Sequence, residues 1–129
     1  MQTETVATTY KKAERACLAA VALLVLYLLW EVFSSPFSGA DFDEKRWADA
    51  AGHDDTCIRG AMVNDLLKKR VQIGMSRSSL VAIVGKPDHG DGMEISYYLG
   101  FCQTPVDPDT LDFYFDSRGA LTRHEIRNH

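Results

Sequence analysis

Residues 74–88 read Gly-Met-Ser-Arg-Ser-Ser-Leu-Val-Ala-Ile-Val-Gly-Lys-Pro-Asp, a short helix written with its own start and stop. Ser76 is a natural N-cap, since its side-chain oxygen accepts a backbone N–H of the first turn. Met75 then falls at N′ and Leu80 at N4, the two positions of a hydrophobic staple. Leu80, Ile83 and Val84 share one face, which predicts burial. Gly85 marks the stop, and Pro87 forbids continuation.

Residues 55–70 predict a preceding helix. Ile58, Met62, Val63, Leu66 and Leu67 make an apolar stripe at helical spacing. Asp54, Asp55 or Thr56 suits its start, and Lys68, Lys69 and Arg70 suit its last turn. On the other side, residues 93–99 alternate, with Ile95, Tyr97 and Leu99 on one face. Residues 111–116 do the same with Leu111, Phe113 and Phe115. Residues 116–119 are a turn signal, and residues 120–127 return as a more polar edge strand. The expected fold class is α+β over residues 55–129: two helices on one face of a three-stranded antiparallel sheet, in the order ααβββ.

Ahead of this domain lies an apolar segment, residues 16–33. Residues 16–30 hold fifteen positions without a charge. Eighteen helical residues span about 27 Å, close to the hydrocarbon thickness of a bilayer. Tyr27, Trp30 and Phe33 gather where an interfacial aromatic belt would sit. Lys11, Lys12 and Arg15 precede the segment, and no Lys or Arg follows it until Lys45. The positive-inside rule therefore puts residues 1–15 in the cytoplasm and the rest across a bacterial-type inner membrane. An uncleaved transmembrane anchor is preferred over a signal cleaved after Ala40, where Ser38-Gly39-Ala40 offers small residues. A lipoprotein signal fits poorly, because Cys17 stands at the start of the apolar run. A buried core helix fits poorly too, because the run is apolar on every side. Residues 34–54 open as a Ser/Pro/Gly linker and continue as an arm, with Phe42 and Trp47 expected to pack on the domain.

The chain has 129 residues and a net charge of −4. No strongly basic face is implied, so nucleic acid is not an expected partner. Cys57 and Cys102 both fall in the exported part, and an oxidising compartment predicts a disulfide between them. The alternatives are a redox pair or a metal site with His53 or His89, but neither a CxxC spacing nor a His/Cys cluster is present. Catalytic signals are weak. Gly85-Lys86 resembles the end of a phosphate loop, yet Pro87 stands where Ser or Thr is needed. The four histidines show no i,i+4 spacing. Asp107, Asp109, Asp112 and Asp116 do not match a calcium loop and are expected to be solvated. No cofactor, no metal and no catalysis are expected.

A larger pattern is Arg59-x-x-Met62-x-x-Asp65-Leu66-Leu67, then Gly74-Met75-Ser76 through Gly85-Lys86-Pro87-Asp88. Tyr97-x-Leu99-Gly100, Leu111-x-Phe113-x-Phe115-Asp116 and Gly119-x-Leu121 follow. Together these resemble the SmpA/OmlA family, the BamE-like domain of bacterial envelopes, over roughly residues 58–127. The resemblance implies two helices on a three-stranded sheet and a role in envelope assembly. Unlike the lipid-anchored members, this chain has no lipobox cysteine. The expectation is a non-catalytic inner-membrane protein with a periplasmic domain. Its partners would be an envelope or inner-membrane protein, and membrane lipid through residues 16–33. Tyr98 and Tyr114, on the sheet face away from the helices, are the candidate partner contacts. The alternatives are an accessory subunit of a membrane complex, or a cleaved periplasmic binding or inhibitor module.

Overall fold

The computed structural model describes residues 2–52 and 56–129. The expected caps Asp54 and Asp55 and the alternative metal ligand His53 lie outside those residues. The chain divides into two compact units, one ending at Ser35 and one spanning Pro36–His129.

In the first unit, α1 (Gln2–Phe33) is one helix of 32 residues, about 48 Å long at 1.5 Å per residue. The expected division between residues 1–15 and 16–33 leaves no mark on the backbone. No Gly or Pro interrupts the helix, so the polar start and the apolar run continue as one rod. It ends where Pro36 disfavours helix at the residue before it. Thr3–Glu31 is long and apolar enough to cross a membrane. Leu18, Leu23, Leu26 and Trp30 are all exposed, as lipid-facing side chains would be.

The second unit has the expected α+β architecture. Its elements are α2 (Glu44–Asp49), α3 (Ile58–Lys69), α4 (Arg77–Val84), β1 (Glu94–Gly100), β2 (Asp109–Phe115) and β3 (Leu121–Asn128). The strands form an antiparallel meander in the order β1-β2-β3. Met62, Val63 and Leu66 of α3 and Leu80 and Val84 of α4 meet Ile95, Tyr97, Leu99, Leu111, Phe113 and Phe115 in one core. The sequence signals of α4 act as written: Ser76 accepts the Ser79 N–H at 3.1 Å. Gly85 takes φ 90°, a left-handed conformation that only glycine adopts freely.

Residues 36–52 are built into the domain rather than merely leading to it. Asp43 caps α2 by accepting the Arg46 N–H at 2.6 Å. Trp47 is fully buried and stands edge-on to both Phe42 and Tyr97. Phe37, which no periodic signal marked, is also buried. Its carbonyl accepts the Asn64 N–H at 3.0 Å, and Gly39 and Ala40 both donate to the Ala61 carbonyl at 3.0 Å. The ordered domain therefore begins at Pro36.

Cys57 and Cys102 are joined, with a Cα–Cα distance of 5.0 Å and a sequence separation of 45. A loop of that length is worth about 4 kcal/mol in unfolded-chain entropy. Cys57 is also the N-cap of α3, and its side chain donates or accepts no capping bond. The covalent link stands where a Ser or Asp cap would. A Cβ on Gly60 would overlap both sulfurs, so the third residue after Cys57 is glycine for reasons of space. Gly60→Ala is accordingly expected to lose about 3 kcal/mol in urea unfolding of the detergent-solubilised chain. It should also expose two thiols beyond that of Cys17 to titration under non-reducing conditions. An unchanged unfolding midpoint with only the Cys17 thiol titrating would contradict this packing.

Candidate functional site

Alternation along the strands sends one residue in two away from the helices. From β1 these are Glu94, Ser96 and Tyr98, and from β2 they are Thr110, Asp112 and Tyr114. On β3 the phase is set by a bulge. Tyr114 pairs with Arg123 and Phe115 with Leu121, which leaves Thr122 as an extra residue. The Thr122 hydroxyl donates to the Tyr114 carbonyl at 2.9 Å. Without the bulge Arg123 would follow Leu121 onto the core side. With it, Arg123, Glu125 and Arg127 join the outer face. His124 falls on the opposite side of the strand, exposed but edge-on to Phe113.

The outer face is thus three rows of polar side chains across three strands. Glu94, Tyr114 and Arg123 are in register at one end. Ser96, Asp112 and Glu125 form the middle row, and Tyr98, Thr110 and Arg127 the other end. The Arg127 guanidinium bonds to Asp112 and donates to Glu94 Oε1 at 2.7 Å. Arg123 lies 3.6 Å above the Tyr114 ring centroid and donates to Glu125 Oε2 at 2.8 Å. The Tyr114 hydroxyl donates to Glu125 Oε1 at 2.7 Å. That bond, with burial, pushes the phenol up to about 12. The same bond, with Arg123, holds the Glu125 carboxyl below its usual range.

Both candidate tyrosines lie on this face, at opposite ends, with Ser96 and Asp112 between them. Cys57 and Cys102 are elsewhere, where β1 ends against the start of α3. The four aspartates do not share one environment. Asp107 is exposed and Asp116 closes the β2–β3 turn by accepting the Arg118 and Ala120 N–H groups. Asp109 and Asp112, expected to be solvated, are instead completely buried. Asp109 accepts the Cys102 and Gln103 N–H groups at 3.0 Å each, the Gln103 amide at 2.6 Å and the Asn128 amide at 3.2 Å. It organises the loop that carries the disulfide. Asp112 keeps one oxygen, Oδ1, buried and without a partner.

Arg59 is the other group whose position sequence reasoning did not supply. It is 5% exposed and donates from Nε to the Trp47 carbonyl at 2.8 Å. From Nη1 it reaches Asp88 at 2.6 Å and the Tyr98 carbonyl at 3.3 Å. Its guanidinium also sits 5.0 Å from the centroid of the Trp47 ring. It borders a cleft of about 430 Å³ with Ala48, Ala51, Val84 and Lys86. These bonds fasten α2 to the sheet.

Among the described residues no three His, Cys, Asp or Glu side chains gather as a metal site. Ser78 and Ser79 both bond to the Ser76 hydroxyl at the α4 cap. The chain matches no protein-family model and no curated protein.

These environments give stability two pH limits. Burial, with the Asp88 charge, pushes the Tyr97 phenol up to about 12, as the Glu125 bond does for Tyr114. An unfolded chain loses these protons near 10, so stability falls as pH rises from about 10 to about 12. Asp65, Asp116 and Glu125 are all held below their ordinary values. Their contribution is present above the ordinary carboxylate range and is lost as pH falls through it. The denaturant midpoint is expected to be highest between these limits, and Tyr114→Phe should lessen the alkaline fall. A midpoint that climbs above pH 10 would contradict the assignment.

Proposed function

We propose that this chain is a non-catalytic, single-pass protein of a bacterial inner membrane, with its N-terminus cytoplasmic and its folded domain periplasmic. The domain binds another envelope protein or an assembly complex through the outer face of its sheet. The observation that carries this reading is the composition and order of that face. It presents two tyrosines and two arginines, the residue types that dominate protein interfaces. Three of the four, Tyr114, Arg123 and Arg127, are already held in place by neighbouring carboxylates, so less side-chain entropy is lost on docking. Among the described residues no helix of the domain packs against it, because the core lies on the opposite side.

Retention in the membrane is supported by the way the domain begins. Cleavage after Ala40 would cut inside the folded unit. It would remove the buried Phe37 and the hydrogen bonds that Gly39, Ala40 and the Phe37 carbonyl make to α3. An apolar span that continues into a domain needing its first residues favours an uncleaved anchor over a released binding module. The envelope assignment draws on the SmpA/OmlA-like pattern of residues 74–88 and of the three strands.

Two measurements test the proposal. N-terminal sequencing of the membrane-extracted protein should find a chain that has not been cut before Asp41. A photo-crosslinking amino acid at position 98 or 114 in intact cells should capture a discrete envelope protein, while one at Lys68 should not. Loss of residues 1–40, or no adduct from the sheet face, would refute it.

A further inference from the structure

The outer face also says something about the chemistry of its occupant, provided the face is the docking surface proposed above. We infer that the partner presents an arginine or lysine side chain, and that its seat is the carboxylate of Asp112.

The charges on this face do not balance. Glu94, Asp112 and Glu125 supply three carboxylates, and Arg123 and Arg127 supply two guanidinium groups. Both guanidinium groups are committed, Arg127 to Asp112 and Glu94, and Arg123 to Glu125 and the Tyr114 ring. The Tyr114 hydroxyl is committed to Glu125 as well. What remains is an acceptor surplus centred on Asp112. Its side chain is 0% exposed, and its Oδ1 has no donor among the described residues.

A buried carboxylate oxygen without a donor is unfavourable, and native proteins seldom leave one. A donor from outside would satisfy it, and a cationic one would also balance the third carboxylate. An acidic partner would add repulsion, and an apolar one would leave the oxygen orphaned. The way in is past Arg127, which is bonded to Asp112 yet 42% exposed. An incoming cation can share or replace it while Glu94 still holds the Arg127 end. The face already displays the second interaction such a group would use, since Arg123 lies over the Tyr114 ring. Residues 41–129 carry 11 Lys and Arg against 15 Asp and Glu, so the domain's overall field attracts a basic segment.

The test uses the full chain in nanodiscs of zwitterionic lipid, so that lipid charge plays no part. The probes are fluorescent hexapeptides, one alternating arginine and serine and one alternating glutamate and serine. Binding of the basic peptide alone is expected, with affinity falling as salt rises. Asp112→Asn should weaken it about tenfold, whereas Asp91→Asn, at an exposed acid elsewhere, should leave it within twofold. A melting curve shows whether Asp112→Asn folds. If it does not, Glu94→Gln, at an exposed position, serves instead and should weaken binding about threefold. No binding, equal binding of the two peptides, or full affinity in the folded variant overturns the inference. If crosslinks from positions 98 and 114 still capture a partner while the basic peptide fails to bind, the docking surface stands and this account of its occupant falls.

Discussion

The first two turns of α3 are where the domain is tied together. Three separate parts of the chain converge there. The disulfide brings the loop after β1 to Cys57. The entering segment lays its backbone along Ala61 and Asn64. A Cβ on Gly100 would overlap the Thr56 carbonyl, so the end of β1 passes against the chain just before Cys57. A unit of this size buries a modest fraction of its surface and has little hydrophobic surplus. Fixing one helix end from three directions removes alternatives from the unfolded chain and places α3 over the sheet. The two glycines are consequences of that crowding: neither Gly60 nor Gly100 has room for a side chain.

The remaining elements hang from this junction through Arg59, one residue after the first helical position of α3. Its guanidinium accepts no substitute among the aliphatic cations, since it must reach a carbonyl on α2, a carboxylate at Asp88 and a carbonyl on β1 from one planar group. Asp88 in turn accepts the Tyr98 N–H at 2.8 Å. Arg59 is the buried partner and Asp88 the exposed one, so removing the carboxylate leaves the guanidinium in a dry site without its counter-charge. Trp47 is clamped between this group and Tyr97, which explains why a helix as short as α2 persists. Six residues cannot hold a helix by propensity. The buried indole and the Asp43 cap hold it instead.

What was legible in the sequence was whatever obeys a local period. Ser76, Leu80, Gly85 and Pro87 specify α4 through rules that act within a few residues, and the structure follows them. The strand faces of β1 and β2 were legible for the same reason. Trp47 was visible as an anchor but its helix was not, because α2 is created by what it packs on. Phe37 sits between Pro36 and Ser38, where composition signals only a linker. Asp109 and Asp112 show the limit most plainly. Period-2 reasoning puts them on opposite faces of one strand, yet both are buried, one under a loop and one in the middle of a polar face. Burial of a charge depends on partners distant in sequence, here Gln103, Asn128 and Arg127.

The candidate face depends on one residue that no alternation rule would select. Leu121 is buried, and a regular strand continuing from it would direct Arg123, Glu125 and Arg127 toward the core, where three charges could not be accommodated. The sequence carries no signal of a phase change except that the regular reading is untenable. Thr122 resolves the conflict as the extra residue of a bulge, bonded through its hydroxyl to the opposing strand. The shift turns Ile126 toward the core side, half-buried against the cluster, and gives Tyr114 its arginine. It also puts Glu125 beside Asp112, so the acceptor surplus at the centre of the face follows from the same inserted residue. Core formation and the polarity of the outer surface are therefore one constraint on this strand, and the order of the face follows from the burial of Leu121.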